Sequence, residues 1–305
     1  MGNWFKTTLL LGLMTALVVL IGKLIGGQQG MIYAFFLAMG MNFISYYFSD
    51  KIVLRMYRAR EATPMENSRL YEIVHQIAQK AKLPMPRVYI IPEDSPNAFA
   101  TGRNREHAVV AVTEGLLRLM DTDEVTGVLS HEMAHIKNRD ILIGSIAATM
   151  AGAIMIIANM ARWSAFLGGR SSNDRGGSNA IGLLIMSILA PVAAMLIQMA
   201  ISRSREYQAD STGAVFAGNP GGLARALEKL GAYSKRIPMQ SSPNTAHMFI
   251  VNPLKGGNLS TLFSTHPPLE ERIARLIGNN SLTENIIHGG TGRREAEDSW
   301  KRLMR

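Results

Sequence analysis

The sequence predicts a mainly helical α+β integral membrane protein, and three observations carry that prediction. Four stretches, at about 8–25, 30–48, 141–161 and 181–201, are nearly or wholly free of charge in a chain of 305 residues that is 18% charged overall. Crossing a bilayer takes about 20 apolar residues, so each stretch is long enough. The remainder, about 49–140 and 202–278, has ordinary soluble-type composition and can bury a core of its own. Within it, amphipathic helical patterns sit beside short strand-like runs, which is an α+β arrangement with a small sheet. The predicted organisation is therefore an N-terminal transmembrane hairpin (1–48), a first part of a cytoplasmic domain (49–140), a second hairpin (141–201), a second part of the domain (202–278) and a polar tail (279–305).

The first apolar stretch is followed by Gly22-Lys23-Leu24-Ile25-Gly26-Gly27 and then by a second apolar stretch, with no A-x-A-like site between them. That pattern predicts a retained anchor hairpin, not a cleaved signal peptide. Lys51, Arg55, Arg58 and Arg60 follow the second stretch, and Lys137, Arg139, Arg203 and Arg205 flank the later two. The positive-inside tendency puts these flanks, and the domain between them, in the cytoplasm. The net charge of +9 borders apolar spans without interleaved aromatics, so it points to the lipid bilayer as partner and away from nucleic acid.

Over 69–82, Leu70, Ile73, Val74, Ile77, Ala78 and Ala81 recur at helical spacing. Strand-like runs follow at 87–91, 97–101 and 107–112, punctuated by Pro92, Pro96 and Gly102, and predict a small antiparallel sheet. Asp121 opens a helix with Glu124 as its capping-box partner, and Val125, Val128, Leu129 and Ile136 form its buried stripe. The third apolar stretch carries Gly144, Ala148 and Gly152 at small-residue spacing, and the fourth contains Pro191 as a tolerable kink. The glycine- and serine-rich piece at 168–179 reads as the loop between them. A competing reading keeps this pair buried in protein without crossing. Helical patterns at 223–233 and 267–276 complete the domain, with Gly278 as a stop.

The helix after Asp121 contains His131-Glu132-Met133-Ala134-His135. Positions i and i+4 share a helix face, so both imidazoles project together and can hold a metal ion, with the Glu132 carboxylate beside them to accept a proton from water. Polar residues from Asp121 to Asp140 keep this helix out of the lipid. The chain has no cysteine, so disulfides and thiol chemistry are excluded and any metal is held by histidine and carboxylate. A catalytic zinc has three protein ligands and one open position. Glu206 is the candidate third ligand, because a hairpin over 141–201 returns the chain to the side on which the histidine helix ends. Standing alone, Glu206 would read as a juxtamembrane charge paired with Arg203 or Arg205. Asp210, four residues on, is a candidate acceptor for a ligand histidine. His266, before Pro267-Pro268, is a candidate donor to the developing oxyanion, or simply a turn residue before a helix. Asn97-Ala98-Phe99-Ala100-Thr101 is a candidate sheet edge for pairing with an extended substrate, with Asn97, Ala98 and Phe99 its candidate contact residues.

The hairpin, His131-Glu132-Met133-Ala134-His135, Ser202-Arg203-Ser204-Arg205-Glu206-Tyr207-Gln208-Ala209-Asp210 and Thr265-His266-Pro267-Pro268 together resemble the HtpX family over about residues 1–278. These are heat-shock-linked zinc endopeptidases of the bacterial inner membrane, related to the CAAX prenyl proteases. The resemblance implies a cytoplasmic zincin-like metalloprotease domain, one Zn2+ at His131, His135 and Glu206, and Glu132 as the catalytic residue. It implies cleavage of misfolded or damaged membrane proteins and unfolded polypeptides in quality control. Two other readings stay open: a CAAX-type enzyme trimming prenylated peptides, and a non-catalytic membrane scaffold. The first lacks sequence for an enclosing chamber, and the second lacks the fourth ligand of a closed structural site.

Overall fold

The computed structural model of the chain describes residues 3–168, 203–234, 245, 248–250 and 267–288. The fourth apolar stretch, most of the loop preceding it, His266 and the tail beyond His288 lie outside the described residues. Helix α1 (Asn3–Met56) is two arms joined at Gly26-Gly27, where Gly27 has φ 59° and ψ −142°, a conformation open to glycine alone. Just past this turn the arms cross at Gly22 and Gly30. A Cβ on either would collide with the backbone carbonyl of the other, so glycine sets the closeness of the crossing. Lower down, Asn42 Nδ2 donates to Thr15 Oγ1 at 2.8 Å, pairing two polar groups between apolar helices.

The second arm, Gly26–Met56, is the one helix among the described residues long and apolar enough to cross a membrane; Thr7–Lys23 and Ile141–Ile154 are shorter apolar helices. Its large side chains face outward, Tyr33 at 71% and Phe36 at 65% exposure. Such a surface is expected of a helix solvated by lipid. The first arm packs on α5 (Ile141–Gly168) through Leu10 and Met14 against Ile143, Ala147 and Met150.

The polar domain begins with β1 (Arg60–Glu61) and α2 (Ser68–Ala81). Helix α2 buries the six apolar residues its periodicity picks out and ends on Lys82 in the left-handed region. Strands β2 (Arg87–Ile91), β3 (Ala98–Thr101) and β4 (Val109–Thr113) follow, with a 3-10 turn at Arg105–His107. The sheet order is β1-β2-β4-β3. It is mixed, not antiparallel as the sequence suggested: β2 and β4 run parallel, Val88 opposite Val110, and β3 turns back against β4 at the edge. Periodicity identifies runs that can be strands but carries no information on their relative direction.

Both faces of the sheet are covered. Val88, Ala98, Val110 and Val112 face a core shared with α2 and α4 (Thr122–Asn138), whereas Ile91, Phe99, Val109 and Ala111 face Val53, Leu54 and Tyr57 at the end of α1. Burial on two faces explains why the strands read as continuous apolar runs. The sheet thereby fastens the polar domain to the apolar arms. The short helix α3 (Glu114–Leu119) links β4 to α4, whose start carries the capping box of Asp121 and Glu124. Helices α6 (Arg203–Ala217), α7 (Gly221–Ser234) and α8 (Leu269–His288) close over α4. Helix α8 continues past Gly278, where a stop was expected. An interior glycine costs a helix only about 1 kcal/mol relative to alanine, too little to end one by itself.

Candidate metal centre

Helix α4 is buried on both sides, against the sheet edge and against α6, and its central turn carries His131, Glu132 and His135. Gly213 of α6 allows the closest approach: a Cβ there would lie 2.9 Å from the backbone N and Cα of His131. This contact brings Glu206, two turns earlier on α6, beside the imidazoles. The Nε2 atoms of His131 and His135 are 3.2 Å apart, and Glu206 oxygens lie 3.8 Å from the first and 3.5 Å from the second. Donors around a tetrahedral zinc with bonds of about 2.1 Å stand about 3.4 Å from one another, so these residues fit such an ion. His131 and Glu206 are almost inaccessible, and His135 is half-buried. Glu206 is therefore not a surface charge; Arg205 instead lies 3.6 Å from Asp140.

Each imidazole is oriented through its other nitrogen. His131 Nδ1 lies 2.9 Å from Asp210 Oδ1, and His135 Nδ1 lies 3.2 Å from Asp140 Oδ2. A carboxylate on Nδ1 selects the tautomer whose Nε2 lone pair faces the metal position. Asp140 and Arg272 were not singled out from the sequence. Asp140 lies just past the helix end, where spacing from His135 gives no periodic signal. Arg272 sits on α8, fully buried, with Nε donating to Asp210 at 2.9 Å and Nη2 at 2.7 Å, and Nη1 3.7 Å from Glu206. It offsets the charge of two buried carboxylates, Asp210 and Glu206.

The protonation states follow from burial and from these partners. Burial pulls the His131 imidazole down to about 4, outweighing its bond to Asp210, so it is neutral at pH 7. Burial also opposes charge on His135, but the Asp140 bond and the Glu206 and Glu132 charges outweigh it and raise it to about 9. Burial lifts the Glu132 carboxyl to about 8. For Asp210, burial pushes up, yet the His131 and Arg272 bonds prevail and hold it below the usual carboxylate range.

Glu132 faces the sheet edge, where the backbone N–H of Ala100 donates to its carboxylate. Asn97 bonds inward to Thr113, its amide reaching Thr113 Oγ1 at 2.8 Å, so Ala98 and Ala100 present the outward groups of β3. The Ala98 carbonyl already accepts from Ile250 N at 3.2 Å, and the Phe99 ring packs between Tyr57 and Phe249. Asn97, Ala98 and Phe99 present no outward group to Glu132; that position belongs to Ala100, further along the same 97–101 run.

Two imidazoles and a carboxylate around one point, with a second carboxylate held on a strand edge, make up the donor set of a metal-dependent hydrolase. The model of "Peptidase family M48" matches residues 64–279. The "Protease HtpX homolog" of Desulforapulum autotrophicum is 63% identical, over 99% of this chain and 100% of that protein. The homologue of Desulfatibacillum aliphaticivorans is 62% identical, over 99% and 98%. Among solved structures, Ste24p of S. mikatae aligns over 79% of this chain and 57% of that one, at 20% identity and a TM-score of 0.46. The chain belongs to peptidase family M48, in its HtpX group, and is a membrane-associated metallopeptidase.

Proposed function

We propose that the protein is a zinc-dependent endopeptidase of the bacterial inner membrane that cleaves extended segments of misfolded membrane proteins at the cytoplasmic face. The observation that carries this is the convergence of His131, His135 and Glu206 directly beside Glu132, which itself abuts an edge strand. A bound zinc ion supplies Lewis-acid activation of water and of the scissile carbonyl. Glu132 accepts the proton of the attacking water and passes it to the departing amine; its burial suits it to hold that proton between the two steps. Asp140 and Asp210 keep the imidazoles in the required tautomer, and Arg272 keeps Asp210 charged. The oxyanion donor role is assigned to His266 from its Thr265-His266-Pro267-Pro268 motif alone. With the Ala98 carbonyl bonded to Ile250 and the Ala100 N–H to Glu132, the Ala100 carbonyl is the β3 group assigned to accept from the substrate main chain. Main-chain pairing suits an extended segment, which misfolded proteins expose more than compact ones, and this supports them as substrates. Lys51, Arg55, Arg58 and Arg60 support the cytoplasmic placement.

The test is hydrolysis of an unfolded protein by the full chain in detergent, with zinc content measured alongside. Glu132→Gln should retain about one zinc per chain and lose about 10²–10⁴-fold in rate. Equal rates in the two proteins would overturn the proposal.

A further inference from the structure

A cavity of about 540 Å³ lies where the three apolar helices meet the polar domain. Its floor comes from Thr7 on the first arm of α1, Tyr46 on the second arm, and Ile141 and Leu142 at the start of α5. Its roof carries three guanidinium groups, Arg103, Arg105 and Arg139, against one carboxylate, Glu106, which is exposed. Arg105 donates through Nη2 to the Lys137 carbonyl, while its buried Nε has no hydrogen-bond partner. A buried donor left unpaired is costly and marks a place for an acceptor. Arg139 caps α4 in the left-handed region, which turns the chain there sharply away from the helix. The Arg103 guanidinium lies 5.5 Å from the Tyr47 ring centroid, at the level of the Tyr46-Tyr47-Phe48 run two turns before the end of the second arm. Aromatic side chains in that position mark a membrane–water boundary.

One further feature decides between a free anion and a lipid. Tyr46, Phe43, Met39 and Phe36 repeat at helical spacing along the second arm, all exposed, with Phe43 at 58% and Phe36 at 65%. A cationic cavity therefore opens at the head of an exposed apolar stripe. From this juxtaposition we infer that the cavity binds the headgroup of an anionic glycerophospholipid, its phosphate held by Arg103 and Arg105 and an acyl chain lying along the stripe. Guanidinium forks match phosphate oxygens in geometry as well as charge, and basic pockets between membrane helices suit such headgroups. The inference rests on the proposed bilayer insertion of the arms but not on proteolysis.

The test is native mass spectrometry of the full-length protein in detergent with equimolar phosphatidylglycerol and phosphatidylcholine. The wild-type protein should retain phosphatidylglycerol at least about tenfold in preference. Arg103→Gln/Arg105→Gln should abolish the preference, whereas Arg55→Gln, an exposed cation outside the cavity, should keep it. Should the double variant lose its helical circular dichroism, Arg103→Gln alone is expected to lower the preference about threefold. Three results would each overturn the inference: no headgroup preference in the wild type, an equal loss in Arg55→Gln, or displacement of the lipid by inorganic phosphate in tenfold excess. Because the readout is retained lipid, its failure is distinct from a failure of the peptidase assay.

Discussion

His135 is the residue on which metal uptake turns. Its imidazole is raised to about 9, so between about pH 6.5 and 9 the metal-free protein carries a proton there that an incoming ion must displace. His131, lowered to about 4, is already neutral across that range. The sign is therefore fixed: zinc affinity rises with pH, by about tenfold per unit for one displaced proton, and levels off once His135 is neutral. Glu132 would add a second titration, so the measurement belongs in Glu132→Gln, by competition with a chelator from pH 6.5 to 9.5. Asp140→Asn removes the principal group that raises His135. It should flatten the profile at lower pH and, by freeing the ring, weaken zinc about 10- to 100-fold. A flat profile in Glu132→Gln would contradict the protonation assigned to His135.

At the scale of elements, the site depends on how closely α6 can approach α4. Gly213 has no φ that demands glycine, so alanine would gain about 1 kcal/mol of helix propensity in isolation. Against that, the added methyl meets the backbone of His131 at 2.9 Å, and backbone cannot rotate out of the way. Overpacking of this kind costs about 1–3 kcal/mol, so the net effect is destabilising. Gly213→Ala is expected to lower the unfolding midpoint and to weaken zinc more than a distant change of equal stability cost, because it moves Glu206 away from the imidazoles. Thermal unfolding with and without zinc measures both effects; a larger zinc-induced stabilisation than in the wild-type protein would contradict the packing argument. The elements themselves follow closely from local pattern. The apolar residues of α2, the capping box of α4 and the bounds of β2 all appear where periodicity and end signals put them.

At the scale of the whole molecule, the decisive quantity is which side of the bilayer each part occupies. The chain has no cysteine, so single thiols report topology without background. Gln28→Cys, at the exposed turn between the arms, and Met65→Cys, 96% exposed on the polar domain, should be labelled from opposite sides of sealed membranes. Met65→Cys should react only from the cytoplasmic side. Labelling of both from one side would mean that the α1 hairpin does not cross.

Features that arise between neighbours along the chain are legible without the fold. The two imidazoles share a face because a helix repeats every 3.6 residues, and the apolar arms are apolar whatever packs beside them. The pairing of a distant Glu206 with those imidazoles came from hairpin topology and family resemblance, not from spacing. The remaining features emerge from how distant elements pack. That packing runs β2 parallel to β4, puts Ala100 and not Asn97 against Glu132, lays Ile250 on the Ala98 carbonyl, and brings Asp140 and Arg272 to the histidines. Each of those contacts joins groups whose meeting depends on how whole elements stack. The free energy that sets such stacking is summed over the entire core, so no short stretch of sequence records it.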